Sequence, residues 1–390
     1  MVAQGARSRV EPLVHRNVWI SNGLAALAAA LFVAVVPAHI ASAEARNRAP
    51  MPEGALSLAK GVTSYAKAQP TEHQYGTGSA LFDGEWLFGT FMMAAMGHGQ
   101  LARADEAARQ THLANMEAAL DAMLGPRGRA FDEHRWGEYP LGAEAVGAHA
   151  AFLGYANLAL SLHRSLRPSS RLAAANDDVS ARLERLLETQ ATPLLETYPG
   201  EWYPVDNAAV LASVTLRRQV LSLPPCDAAT RLSSAIKNRY VHDGLLVQAT
   251  GPDGQVRDGA RGSGTFLAAY FLSFSDPELS RKLYEGGKRT LYRQALGFGA
   301  MREYPADHAG RGDIDSGPIA LGLGVSATGF ALGASRAHGD REVFERIYAT
   351  AHLFGAPKDS ARGRHYATGG PIGDAILFAM TTAGPTEAAR

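Results

Sequence analysis

The sequence predicts an all-α fold, an (α/α)6 toroid of about twelve helices with long loops on one rim. Four observations predict it. Alanine- and leucine-rich stretches with helical period recur at 87–96, 104–124, 144–165, 179–195, 208–222, 228–238, 265–274, 277–296, 318–337, 342–353 and 371–382. The intervening segments are clusters of glycine, proline, aspartate and aromatic residues, which read as loops. Strand-type alternation is almost absent, with 245–249 a short hairpin at most. Finally, roughly 350 residues shared among about twelve helices leave one helical hairpin's length for each pair. An irregular array of packed helix pairs is the alternative architecture.

At the N-terminus, Arg7, Arg9 and Arg16 precede an apolar run at 23–36 and the small-residue stretch Ala41-Ser42-Ala43. Basic region, short apolar core and A-x-A site in that order make a secretory signal. Residues 1–43 therefore read as a signal peptide cleaved after Ala43, or as an N-terminal anchor. The protein is expected to be periplasmic or secreted, meeting a membrane only through this segment if it stays uncleaved. Residues 44–69 read as a linker and first turn, 70–384 as the (α/α)6-barrel domain and 385–390 as a tail.

An apolar fraction of 46% with 19% charged residues suits an ample core and excludes a disordered chain. The 38 basic and 38 acidic residues balance, so there is no electrostatic footprint for nucleic acid. Cys226 is the only cysteine and reads as a buried, inert thiol; no intramolecular disulfide is available to the fold.

The loops carry the candidate chemistry. In TYPGEWYPVDN, Glu201 and Asp206 lie among Tyr198, Trp202 and Tyr203, and Asp206 or Asn207 also stands where a helix N-cap belongs. In GDIDSGP, Asp313 and Asp315 share one side if the segment is extended. Asp315 or Ser316 otherwise caps the next helix, which Pro318 begins. Glu85 and Trp86 open an apolar helix, where an acid also suits the helix dipole. Arg261 precedes another helix and binds either a substrate or a neighbouring carboxylate. An acid followed closely by tyrosine-proline recurs at Glu138-Tyr139-Pro140, Glu201 to Pro204 and Glu303-Tyr304-Pro305, spacing that suits one shared rim.

Paired carboxylates beside aromatic residues suit acid-base work on a sugar. One carboxyl group, raised in pKa by apolar surroundings, protonates a leaving oxygen; the other, ionised, attacks or activates water. On this reading Glu201, Asp206 and Asp315 are catalytic. Glu85, Trp86, Glu138, Tyr139, Trp202, Tyr203, Arg261, Glu303, Tyr304 and Asp313 bind the substrate. No metal-ligand spacing, HExxH, phosphate loop or nucleophile elbow is present, so no metal and no cofactor is expected.

The motifs GYANLALSLHR (154–164), TYPGEWYPVDN, RGSGTFLAAYFLSF and GDIDSGPIALGLGVSATGF resemble those of exported bacterial proteins of the linalool dehydratase/isomerase-like (α/α)6 family, over most of residues 70–380. The resemblance implies an (α/α)6 fold, export, a ring-shaped homo-oligomer and addition or removal of water at an allylic alcohol. The named enzyme works with a pair of cysteines, and this chain has Cys226 alone, so no catalytic residue carries over. The first expectation is thus an exported enzyme acting on a glycan or other polyhydroxylated substrate. The alternatives are a hydro-lyase acting on a small terpenoid alcohol, with Met92, Met93 and Met96 lining an apolar cavity, and a non-catalytic glycan-binding or envelope protein.

Overall fold

The structure, a computed structural model, describes residues 11–46, 53–68, 70–308 and 310–384. Arg7, Arg9 and the tail 385–390 lie outside the described residues. The helices are α1 (Glu11–Ala41), α2 (Ala43–Arg46), α3 (Glu53–Lys67), α4 (Ala80–Ala104), α5 (Arg109–Leu124), α6 (Pro126–Trp136), α7 (Ala150–Leu166), α8 (Ala173–Thr189), α9 (Pro204–Val220), α10 (Asp227–Ala235), α11 (Gly262–Leu272), α12 (Pro277–Leu291), α13 (Val325–Ala337), α14 (Arg341–Gly355) and α15 (Gly370–Thr382).

Their contacts make an (α/α)6 toroid. α4, α7, α9, α11, α13 and α15 each pack on the next, and α15 returns to α4, so these helices form a closed inner ring. α5, α8, α10, α12 and α14 follow their inner partners as the outer layer, and α3 supplies the sixth outer helix by packing on α15. The segment read as a linker therefore contains the helix that closes the ring. All inner helices start at the same rim.

Composition explains the ring. Its helices are buried nearly all round, so they are apolar without a strong polar face. Small residues let the axes approach closely. A Cβ added at Gly97 would meet the Phe378 ring at 2.6 Å, and one at Gly154 would meet Val210 at 2.8 Å. Buried amides and hydroxyls add directional links: Asn157 donates to Ser213, while Asn176 and Ser180 donate to Asn157, tying α7, α8 and α9 together. Gln100 donates to the Ala379 carbonyl and Thr382, and accepts from Tyr270.

The structure departs from the sequence expectation at several boundaries. The stretch 125–142, read as a loop, contains α6; Pro126 begins the helix and Gly137, with φ 71°, ends it. The helix expected over 277–296 stops at Leu291, because Tyr292–Ala295 and Phe298–Met301 pair as a hairpin across Leu296 (φ 53°) and Gly297 (φ 87°). Pro318 does not begin a helix. Ile319–Ala320 pairs with Leu323–Gly324 first, and α13 starts at Val325. Further small antiparallel sheets join Val241–His242 to Leu245–Thr250 to Val256–Ala260, and Pro357–Ser360 to Gly363–Tyr366. α1 includes the apolar run, and its segment Ile20–Ala41, 22 residues with mean hydropathy 2.3, is long and apolar enough to cross a membrane.

Candidate functional site

The loops and first turns at the starting rim of the inner helices gather the acids within reach of one another's charge. Glu85 and Trp86 lie in the second turn of α4, Tyr155 in the second turn of α7, Asp206 in the first turn of α9 and Asp315 in the loop before α13. Tyr198 and Glu201 come from a tight turn ahead of α9, where the Glu201 N–H bonds the Tyr198 carbonyl. This turn is anchored from behind: Asn207 receives the Leu195 N–H and donates to the Leu195 and Tyr203 carbonyls.

Asp206 is not a cap. Tyr203 occupies the N-cap position of α9, and the Asp206 carboxylate accepts the Tyr155 hydroxyl at 2.7 Å. Burial raises its pKa to about 7; the bonds from Tyr155 and Thr197 pull the other way, and the charges of Asp315 and Glu201 push it further up. Burial also raises Glu85, reinforced by the charges of Asp315 and Asp206, with Tyr198 and Arg135 opposing. Asp315 is raised by burial and by Asp313, against the Trp86 indole and the guanidinium groups of Arg135 and Arg261. One Glu85 oxygen and the Tyr198 hydroxyl, though near each other, have no well-formed hydrogen bond. Asp206 is 7% exposed, whereas Glu85 is partly and Asp315 openly reached by solvent despite the protein around them. Neither is therefore sealed in the core. Tyr155 and Tyr198 stay protonated, their hydroxyls raised far above the usual range chiefly by burial.

The other predicted residues divide. Glu201 is paired with Arg135 at 3.2 Å and accepts the Tyr203 hydroxyl at 2.8 Å, so it sits beside the three acids with its charge already matched. Arg135 lies 4.0 Å over the Tyr198 ring. Trp202 bonds through its carbonyl to the Thr250 N–H, and its buried indole N–H has no partner. Asp313 and Asp315 do not share a side. Asp313 pairs with Arg261 and accepts the Ser316 N–H, and Asp315 turns toward Trp86. Neither Asp315 nor Ser316 caps α13, whose N-cap is Gly324.

Arg261 is an internal ion-pair residue, held between Asp258 and Asp313 and placed 5.6 Å over the Tyr304 ring. The Tyr304 hydroxyl accepts the Gly312 N–H. Glu303 is fully buried and accepts the Ser263 hydroxyl at 2.5 Å, with burial raising its pKa. Glu138 is committed to structure: it accepts the Val146 and Gly147 N–H groups and faces His149, whose other ring nitrogen lies 2.6 Å from Asp132. Tyr139 is exposed at the rim beneath Arg129.

Sequence reasoning did not single out Arg135 or Tyr155. Tyr155 sits in a helix whose period explains it and Arg135 in a stretch that reads as loop, and only the fold turns them toward the acids. It also missed a cavity of about 450 Å3 one turn along α4, bounded by Tyr65, Thr90, Tyr366 and Asp374. Burial raises Asp374 to about 7 there. Met92 and Met96 are fully buried and Met93 nearly so, in the core rather than in a cavity. Cys226 lies buried at the N-cap of α10, at the end of the toroid opposite the acids. Among the described residues, no group of three or more His, Cys, Asp or Glu side chains is arranged to hold a metal ion.

No family profile matches the chain, and no curated protein matches it. Among solved structures, it is similar to an inactive variant of the GH76 α-1,6-mannanase of Salegentibacter sp. in complex with α-1,6-mannotriose. Identity there is 10% and the TM-score 0.53, over 84% of this chain and 97% of that one. It is also similar to the GH76 α-mannanase of Bacteroides thetaiotaomicron, with 12% identity and a TM-score of 0.45 over 76% of this chain and 84% of that one. At such identity the likeness is one of fold, so the resemblance to the dehydratase/isomerase group extends no further than the (α/α)6 architecture both imply. What the chain shares with these proteins is an (α/α)6 toroid.

Proposed function

We propose that the protein is a glycan-active enzyme of the glycoside-hydrolase type, with Glu85, Asp206 and Asp315 as its acid-base groups. The observation that carries this reading is their convergence, from three separate elements, to within electrostatic reach of one another beside Tyr155, Tyr198 and Trp86, with Asp315 open to solvent. Acids kept this close cannot all ionise near neutral pH. Glu85 retains its proton and is suited to donate it to a glycosidic oxygen. Asp315, the most open of the three, is the ionised partner that activates water or attacks the sugar. Asp206, fixed by Tyr155, acts as the third acid that keeps Glu85 protonated.

Glu201 becomes a positioning residue that holds Arg135 against Tyr198. The fold likeness to the α-1,6-mannanase supports a glycan over a terpenoid alcohol, as does a cluster of carboxyl groups and phenols with the methionines in the core. Mannose glycans belong to the structural neighbours alone, so α-1,6-mannotriose is the first probe and not the assumed substrate.

Glu85→Gln, Asp206→Asn and Asp315→Asn are expected to lower turnover at least 100-fold, on the scale of lost general acid-base catalysis of about 100- to 10,000-fold. Far-ultraviolet circular dichroism should remain unchanged. Turnover of every active glycan at the unaltered rate by all three variants would overturn the proposal.

A further inference from the structure

The N-terminal helix is built into the domain. Ala38 and Ala41 are buried against Ala349, with Phe298 packed beside them. Ser42 is also buried in the junction, while Ala43 is exposed. Glu44 accepts two bonds from Arg364 and one from Tyr348, and Arg341 donates to the Arg46 carbonyl. Removing α1 would uncover Ala349 and Phe298.

The direction of α1 follows from these contacts. Ala38 meets the hairpin tip at Gly297 and the middle of α14, while Arg46 reaches the start of α14. α1 therefore runs antiparallel to α14, and its free apolar length leaves the toroid past the C-terminal end of α14. That end is the rim where the inner helices start, the rim of the carboxylate site. Residues 20–37, the part of this apolar run ahead of the buried Ala38, rise about 27 Å at 1.5 Å per residue, close to a hydrocarbon core of about 30 Å. Arg7, Arg9 and Arg16 precede it, which places the domain across the membrane from the basic end.

The same rim carries most of the exposed large apolar side chains outside α1. Val146, Val256, Leu296, Leu321, Val325 and Phe354 all lie there, with Leu321 fully exposed, Val146 at 88% and Phe354 at 67%. The opposite end offers Leu56 and Leu223. Leu296 and Phe354 flank Phe298 at the foot of α1, so the patch is continuous with the helix.

We propose that α1 remains attached as a membrane anchor and that the rim bearing the carboxylate site docks on the lipid surface. The site's substrate is then a glycan carried on a lipid. This last step rests on the glycan reading of the site; the docking does not.

The test uses the full chain in a Cys226→Ser background, with Leu321→Cys, Phe354→Cys or Leu223→Cys carrying a fluorophore. Each is reconstituted into phosphatidylethanolamine/phosphatidylglycerol vesicles containing a spin-labelled quencher lipid. Quenching at 321 and 354 should exceed that at 223 at least threefold. Equal or greater quenching at 223 overturns the docking, and a membrane-extracted mass beginning at Glu44 overturns the anchor. Separately, a Leu321→Ser/Phe354→Ser double variant should lose at least fivefold in turnover of a mannosyl lipid in vesicles while keeping its rate on soluble α-1,6-mannotriose. Equal loss on both overturns the lipid-borne substrate. Absence of turnover of either glycan by the unaltered protein overturns the glycan reading, while the quenching result still decides the docking.

Discussion

Asp206 owes its chemistry to burial, and burial has a thermodynamic signature. Its folded pKa is about 7, against an unfolded value of about 3.9. Between these values the folded state binds more protons than the unfolded one, so the group's contribution to stability falls as pH rises from about 4 to about 7, then levels off. Asp206→Asn removes that slope and can still accept the Tyr155 hydroxyl. It should therefore match the parent at pH 4 and exceed it at pH 8, by at most about 4 kcal/mol. Urea unfolding at the two pH values measures this; a variant less stable at pH 8 would contradict it. Stability gained where activity is lost is the usual trade at a strained site. The sequence showed that acids and aromatics crowd the loops before helices, but not which acids are caps. Asp276 and Asp340 do cap, receiving the Leu279 and Val343 N–H groups, whereas Asp206 and Asp315 do not. A cap and a site acid look alike in one dimension, because both precede a helix; what separates them is the partner that the fold brings from elsewhere. The role of Glu85 is hidden for the same reason: the acids that help raise its pKa lie on α9 and in the loop before α13.

Among the elements, the loop 138–149 shows how a rim segment is held in place. His149 is fully buried between Asp132 and Glu138 and adopts φ 49°. His149→Ala leaves Asp132 buried without that partner and frees Glu138, at an expected cost of about 1–3 kcal/mol. Limited proteolysis should then cut within 138–149 sooner than in the parent. The hairpin Pro357–Ser360/Gly363–Tyr366 is held by closer contact still: a Cβ at Gly61 would lie 2.0 Å from the Arg364 carbonyl oxygen. Gly61→Ala should lower stability by about 1–3 kcal/mol through this overlap, detectable as a lower thermal midpoint. An unchanged midpoint would mean that the hairpin yields freely. Helical periodicity placed the inner helices and every outer helix but α3, since burial on α-helical faces writes itself into the sequence. The short hairpins escaped it, because strands of two to six residues are too short to show a period, and turns such as Leu296-Gly297 interrupt stretches that otherwise resemble helix.

At the scale of the molecule, the toroid was legible from the number and spacing of helical stretches, but its closure was not. α3 precedes the region that looked like a domain, and only its packing on α15 gives it a place in the ring. Moving residues 53–69 behind α15 through a short linker should therefore preserve the fold, as near-parent circular dichroism and thermal unfolding would show. Failure of that permutant to fold would mean that α3 also depends on its connection to α4.

The junction between α3 and α15 bears on how the chain is made. α3 is made well before α15, so the circle stays open until α15 has been made. Until then the flanks of α4 and α13 that α15 covers remain unpartnered, and the ring cannot lock. Here α15 acts as the latch, and the delay is written into the order of the helices.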